Sequence, residues 1–180
     1  MTSYVEILRN GGIGIIPTDT LYGIVGSALQ QNTIERMYEL KGRTVTKPFI
    51  ILISSYEEIA PFGITLTEEM RSMLTTYWPG PVSIILPCPD ATFSYLHRGN
   101  FSLAFRLPQK ESLRELLCYS GPLAAPSANP EGLPPATTIA QAREYFGTHV
   151  DFYVDEGTIV GTPSKLITID SQGDVTALRG

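Results

Sequence analysis

Residues 12–54 read GIGIIPTDTLYGIVGSALQQNTIERMYELKGRTVTKPFIILIS, and this stretch decides the fold class. The apolar run Ile13–Ile16 ends at Pro17, which lacks a backbone donor and so belongs at a strand's exit. Thr18-Asp19-Thr20-Leu21-Tyr22-Gly23 follows, and Gly23 and Gly26 permit a tight backbone path beyond the hydroxyls. A helix starting at Asn32 or Thr33 sets Ile34, Met37, Tyr38 and Leu40 at roughly helical spacing and delivers Lys41-Gly42-Arg43. Lys47-Pro48 then opens a second apolar run, Phe49–Ile53. Two Ile-rich runs of this length, joined by a helix, predict buried strands of an α/β sheet. Ligands of such sheets bind where strands end and loops begin. Hydroxyls beside clustered Lys and Arg suit a polyanion, with phosphate the first choice.

Lys41 taken alone suits the last turn of a helix, where a cation complements the dipole. Lys41, Arg43 and Lys47 taken together have no acid among them. They repel one another unless an anion or an outside carboxylate is close. A solvated basic patch is the competing reading of the same three residues.

Working outward, Thr2 or Ser3 caps a short helix through Arg9, and Asn10-Gly11-Gly12 ends it. Tyr56–Ala60 is a helical turn, Thr67 begins a helix, and Trp78-Pro79-Gly80-Pro81 stops it before a strand at Val82–Leu86. The segment from Pro87 to Asn100 reads as a surface loop with a solvated His97. Phe101, Leu103, Phe105 and Leu107 alternate with Ser102, Ala104 and Arg106, which predicts a half-buried strand with one polar face. Arg106 in mid-strand is either a solvent-facing or ion-paired charge or a ligand contact. Glu111–Tyr119 is helical. Pro122–Ala125 runs straight into Pro126-Ser127-Ala128-Asn129-Pro130, whose donors can converge on one anion. The same residues also make a plain turn. Thr138 caps a helix over Ile139–Phe146. Asp151–Val154, Lys165–Ile169 and Asp174–Leu178 read as later strands, with a hydroxyl-bearing flexible loop at Gly157–Ser164.

The chain of 180 residues, 43% hydrophobic and 17% charged, suits one domain over 1–180. A net charge of −5 argues against a non-specific nucleic-acid binder but permits one basic cleft. Cys88 and Cys118 lack metal-ligand spacing and read as reduced, buried thiols. No leader pattern and no membrane-length apolar run is present, so no membrane association is expected and the cytoplasm is the expected compartment. There is no GxxxxGK[ST] loop, no GxGxxG and no GxSxG elbow. What remains is equipment for binding, orienting and neutralising charge, not for covalent catalysis.

Six motifs in series resemble the YrdC-type threonylcarbamoyl-AMP synthase family. They are Pro17-Thr-Asp-Thr-Leu-Tyr-Gly23, Lys41-Gly-Arg43 with Lys47-Pro48, Trp78-Pro-Gly-Pro81, Phe105-Arg-Leu-Pro108, Pro126-Ser-Ala-Asn129 and Leu178-Arg-Gly180. The resemblance implies an α/β fold around a twisted mixed sheet flanked by helices, with a deep cationic cleft. It also implies the short form, a single catalytic domain. The implied reaction joins L-threonine, bicarbonate and ATP, normally with Mg²⁺, into threonylcarbamoyl-AMP and pyrophosphate. The product would serve the threonylcarbamoyl modification of adenosine 37 in tRNA, completed by a separate transferase complex. By the same resemblance Thr20, Tyr22, Arg106, Ala125 and Ser164 face threonine. Lys41 and Arg43 are catalytic. They share the nucleotide with Lys47, Ser102, Ser127, Asn129 and Arg179. No protein metal ligand is implied.

The chain departs from the family pattern at Leu52, often His, and at Ser83, often Thr. It departs again at Ser164-Lys165, often Ser-Thr, and at Pro130-Glu131-Gly132, where a small residue and Ser-Gly are common. Two further readings stay open on the sequence. One is an RNA-binding module using the same cleft on tRNA or ribosomal RNA. The other is a paralogue acting on a different carbamoyl or nucleotide substrate.

Overall fold

The computed structural model describes residues 2–169 and 174–179. One mixed sheet organises them, with β1 at Ile13–Pro17, β2 at Tyr22–Ser27, β3 at Ile50–Leu52, β4 at Val82–Pro87 and β5 at Ser102–Arg106. β6 is Leu123–Ala124, β7 Phe152–Tyr153, β8 Lys165–Ile169 and β9 Val175–Arg179. The order across the sheet is β7-β1-β2-β6-β3-β5-β4-β8-β9. β1 with β7, β3 with β5 and β4 with β8 run parallel, and the other neighbours run antiparallel.

Helices cover both faces. These are α1 (Thr2–Arg9), α2 (Gln31–Lys41), α3 (Glu68–Leu74), α4 (Ser94–His97), α5 (Glu111–Ser120) and α6 (Ile139–Phe146). Successive strand residues alternate between two cores. Ile15, Ile24 and Ile51 pack with Ile34 and Met37 of α2, while Ile16, Val25 and Leu52 pack with Leu8 of α1 and Leu113 and Leu117 of α5. A sheet buried on both sides needs apolar residues at every position, which is why these strands read as unbroken Ile runs.

The strand after the first apolar run is β2, not the strand at Ile50–Leu52. Tyr22–Ser27 turns back antiparallel on β1 through the four residues Thr18–Leu21, pairing Pro17 with Tyr22 and Ile15 with Ile24. Its glycines hide it from a pattern search, and one of them is dictated by packing. A Cβ on Gly26 would stand 2.5 Å from Thr33 Cγ2 and 2.9 Å from Met37 Sδ, so α2 lies directly against the strand. α2 ends at Gly42, held left-handed at φ 54°, with the Arg43 N–H returning to the Tyr38 carbonyl.

Three more expectations need correction. Of the two cysteines read as buried thiols, Cys88 is buried and Cys118 is exposed. The segment between Pro87 and Asn100 folds into a short 3₁₀ turn and α4, and His97 is 2% exposed. Its ring lies tilted against Phe101 with centroids 5.2 Å apart and its Nδ1 accepts the Gly99 N–H, so it is a packed residue, not a solvated one. Phe101 leaves the strand at φ 52° and stands 60% exposed. The polar face of β5 is also covered, because Arg106 is overlaid by the Thr18–Leu21 turn and not by water.

Candidate active site

The strand ends converge on a cavity of about 490 Å³. The Thr18–Leu21 turn forms one wall. The Thr18 hydroxyl donates to the Leu21 carbonyl at 2.6 Å and accepts the N–H groups of Thr20 and Leu21. An Asp/Thr-rich turn folds this way because its own side chains satisfy its backbone. The Thr20 side chain is thereby presented to Arg106, whose Nη1 donates to Thr20 Oγ1 at 3.1 Å.

Arg106 is 4% exposed and meets Asp19 Oδ1 at 3.1 Å through Nη2. The approach has the distance of an ion pair without hydrogen-bond alignment, and Arg106 Nε has no hydrogen-bond partner either. One donor of the guanidinium fork is therefore uncommitted. Burial pulls the Arg106 pKa down, Asp19 opposes that, and Arg179 adds to it.

The second wall is the loop after α2. Arg43 donates through Nε to the Lys47 carbonyl at 3.0 Å and through Nη2 to the Pro48 carbonyl at 3.3 Å, and it lies over the Phe49 ring. Burial lowers its pKa, and Arg179 lowers it further. Arg179 thus stands within electrostatic reach of both Arg43 and Arg106. It also grips the late loop, donating to the Ser164 carbonyl at 3.0 Å and to its hydroxyl at 3.3 Å. Ser164 completes a buried pair with Ser83, Oγ to Oγ 2.9 Å. Ser102, Ala125 and Ser127 also line the cavity, as does the Tyr22 ring. The Tyr22 hydroxyl points elsewhere, donating to the Gly157 carbonyl at 2.8 Å and accepting the Glu156 N–H at 3.0 Å.

Lys41 and Asn129 stand apart from the other expected site residues, because neither lines the cavity. Lys41 is 2% exposed, and its Nζ donates to the Ser127 carbonyl at 2.6 Å and to that of Asn129. Burial first, and Arg43 second, lower its pKa from 10.5 to about 7. Asn129 accepts the Ser127 hydroxyl at 2.6 Å and ties down the carbonyls of Pro130 and Leu133. Both residues brace the turn that carries Ser127. The outside carboxylate that the basic cluster required is Glu131, which pairs with Lys47.

Sequence reasoning gave Asp19, Asn100 and Gly161 no part in the site. Asn100 lines the cavity and donates to the Thr46 carbonyl at 3.3 Å. A Cβ on Gly161 would stand 2.0 Å from the Thr20 carbonyl oxygen, so the late loop lies on the Thr18–Leu21 turn. Asp19 carried a usable signal, an acid set between hydroxyls in a chain with an arginine in an otherwise apolar and small-residue strand.

A family model for Sua5, YciO and YrdC proteins, described as telomere recombination, matches residues 6–180. Threonylcarbamoyl-AMP synthase of Pyrococcus abyssi is 33% identical over 164 residues, which cover 90% of this chain and 48% of the relative. That of Nitrosococcus oceani is 34% identical over 149 residues, 82% of this chain and 80% of the relative. The crystal structure of Pyrococcus abyssi Sua5 complexed with L-threonine superposes with a TM-score of 0.88 at 31% identity, over 98% of this chain and 52% of that one. Escherichia coli YciO shares the fold at a TM-score of 0.84 and 19% identity. The chain belongs to the Sua5/YciO/YrdC family. It spans about half the length of the Pyrococcus protein and about four-fifths of the Nitrosococcus one.

Proposed function

We propose that this chain is an L-threonylcarbamoyladenylate synthase. It would make threonylcarbamoyl-AMP and pyrophosphate from L-threonine, bicarbonate and ATP, for delivery to a tRNA threonylcarbamoyl transferase complex. The observation that carries the reading is one cavity lined by Thr20 and Arg106 together with Arg43, Lys47 and Arg179. Arg106, which lines the cavity beside the Thr20 hydroxyl, takes the carboxylate of the amino acid. Ser164 and the Ala125 backbone border the same pocket. Arg43, Lys47 and Arg179 take the phosphates, with Ser102 and Ser127 as hydroxyl contacts. Lys41 and Asn129 serve by holding the Ser127 turn.

The threonine amine captures CO₂ derived from bicarbonate and loses a proton, giving a carbamate. A carbamate oxygen attacks the α-phosphorus, and the bond to the pyrophosphate oxygen breaks. Charge grows on the departing pyrophosphate, and fixed cations stabilise it there more than in the bound ground state. Losing Arg43 should cost on the order of 2–4 kcal/mol in the barrier, as for one preorganised donor. Among the described residues no group of three or more His, Cys, Asp or Glu side chains could hold a metal. Mg²⁺ would enter as a companion of the nucleotide phosphates. No described helix is long and apolar enough to cross a membrane.

The test is incubation with ATP, bicarbonate and each of several amino acids, followed by mass spectrometry and pyrophosphate counting. Threonylcarbamoyl-AMP should form with threonine in preference to the others, with one pyrophosphate released per adenylate. Adenylate formation that ignores the amino acid, or none at all, sinks the reading.

A further inference from the structure

Glu131 makes a contact that the synthase reading leaves unused. Its Oε2 accepts the Thr44 N–H at 2.6 Å and the Thr44 hydroxyl at 2.9 Å, while Oε1 accepts from the Lys47 ammonium. A backbone amide, a hydroxyl and an ammonium converging on one oxyanion form the donor set of a phosphate site. Both partners are held in place. The carbonyls of the loop are fastened by Tyr38 and Arg43 on Lys47 and by Asn100 on Thr46. The Glu131 N–H donates to the Lys41 carbonyl at 2.7 Å, and Asn129 braces the turn on which Glu131 sits. Glu131 is therefore not a loose surface charge that happens to rest on a lysine. Its donors hold its carboxyl down at about 2, the Lys47 hydrogen bond most of all. Lys47 and Thr46 of the same loop line the cavity.

We propose that Thr44–Lys47 is an anion-binding loop whose internal occupant is Glu131, and that the terminal phosphates of a nucleoside triphosphate displace this carboxylate when they bind. The inference rests on the nucleotide reading of the cavity. It makes Glu131 a determinant of how strongly the chain discriminates polyphosphates from shorter nucleotides. A triphosphate must open the contact, and a monophosphate lacks the groups that compete for it. Once pyrophosphate has formed, the returning carboxylate competes with it for the same donors and favours its release.

Opening an occupied loop lowers apparent affinity by the fraction of time the loop is free. Removing the occupant should recover that loss, about fivefold to tenfold for a loop closed most of the time. The probes are inorganic tripolyphosphate, α,β-methylene ATP and AMP, titrated calorimetrically into the full chain without threonine or bicarbonate. Glu131→Gln should bind the first two about fivefold to tenfold more tightly and AMP unchanged. Equal or weaker tripolyphosphate binding overturns the proposal. The unmodified protein gives a second readout that no folding defect can confuse. Saturating tripolyphosphate should shift the Glu131 side-chain carboxyl carbon and the Thr44 amide in NMR spectra, and an unmoved Glu131 carboxyl overturns the proposal equally. Because no amino acid is present, a negative result here leaves the synthase assay untouched, and failure of that assay leaves these titrations readable.

Discussion

The Arg106 guanidinium stands 3.1 Å from the Asp19 carboxylate, with side-chain exposures of 4% and 10%. One residue comes from the middle of the sheet and the other from the turn between β1 and β2, so the pair joins the strand that carries the cation to the turn that carries the hydroxyls. Asp19 also accepts the Gln109 N–H at 3.2 Å, which extends the brace to the start of α5. The position of Arg106 beside Thr20 is thus set by a charge pair whose acid, Asp19, does not line the cavity.

Removing one member of a buried pair leaves the other uncompensated, at roughly 3–5 kcal/mol. Asp19→Asn keeps shape and volume and should destabilise the chain by that amount in urea unfolding. The apparent threonine KM should rise, because Arg106 is no longer held beside Thr20. An unfolding curve superposable on that of the wild type would mean that water already solvates Arg106.

Lys41 predicts the pH dependence of stability. Its folded pKa of about 7 lies below the ordinary 10.5. Below about pH 7 both folded and unfolded chains hold the proton, and the folded state bears the full cost of a buried charge. Between about 7 and 10.5 the unfolded chain binds a proton that the folded chain has released, so stability from this group rises with pH. The slope is at most ~1.4 kcal/mol per pH unit. Urea unfolding at about pH 7 and about pH 9.5 should show wild type gaining on Lys41→Met as pH increases. A gap that is constant or shrinking would place the proton differently.

Much of this was legible in the sequence, and the misses share a cause. Ile13–Ile16 and Lys165–Ile169 were plain because an unbroken apolar run or a β-branched segment has few other uses. Tyr22–Ser27 was not, because its small residues are chosen by the helix lying on it, and a contact that leaves no room for a Cβ at Gly26 leaves no periodic trace. Arg43 and Lys47 drew notice as clustered cations with no acid among them and Arg106 as a charge in an alternating strand, and all three line the cavity. Lys41 was grouped with them, yet it does not line the cavity, and its direction was not legible. Whether a lysine in a last helical turn points at solvent, at a ligand or at two carbonyls depends on the Ser127 turn, 86 residues away. His97 was misjudged because a short helix with four residues leaves too few positions for periodicity to register.

The Tyr22 hydroxyl tethers the 155–157 turn, through Gly157 and Glu156. Burial raises its pKa, the Glu156 N–H opposes the rise, and the charge of Asp155 adds to it, so the hydroxyl stays protonated and able to donate. Tyr22→Phe should cost about 1 kcal/mol, because the freed backbone groups lie at the surface and water can replace the hydroxyl. The Glu156 amide should exchange faster with deuterium while amides of β1 and β2 keep their protection. Equal exchange at Glu156 would show that the Lys110–Glu156 ion pair alone holds the turn.

Gly161 should be a positioning residue for the same pocket. A Cβ there would stand 2.0 Å from the Thr20 carbonyl oxygen and 3.1 Å from its carbon, both backbone atoms that cannot swing aside. Gly161→Ala must therefore lift the loop that carries Pro163 and Ser164 off the turn that carries Thr20. The loop is exposed around this point, so the fold should survive with little change in melting temperature. Displacing a positioning group by about 1 Å can cost up to 100-fold in rate. The threonine KM should rise about tenfold or more, since Ser164 and Thr20 belong to one pocket. The ATP KM should move far less, because Arg43 and Lys47 lie on a different loop. Equal loss toward both substrates would mean that the late loop only closes the cavity, and no loss would mean that the two loops separate during turnover.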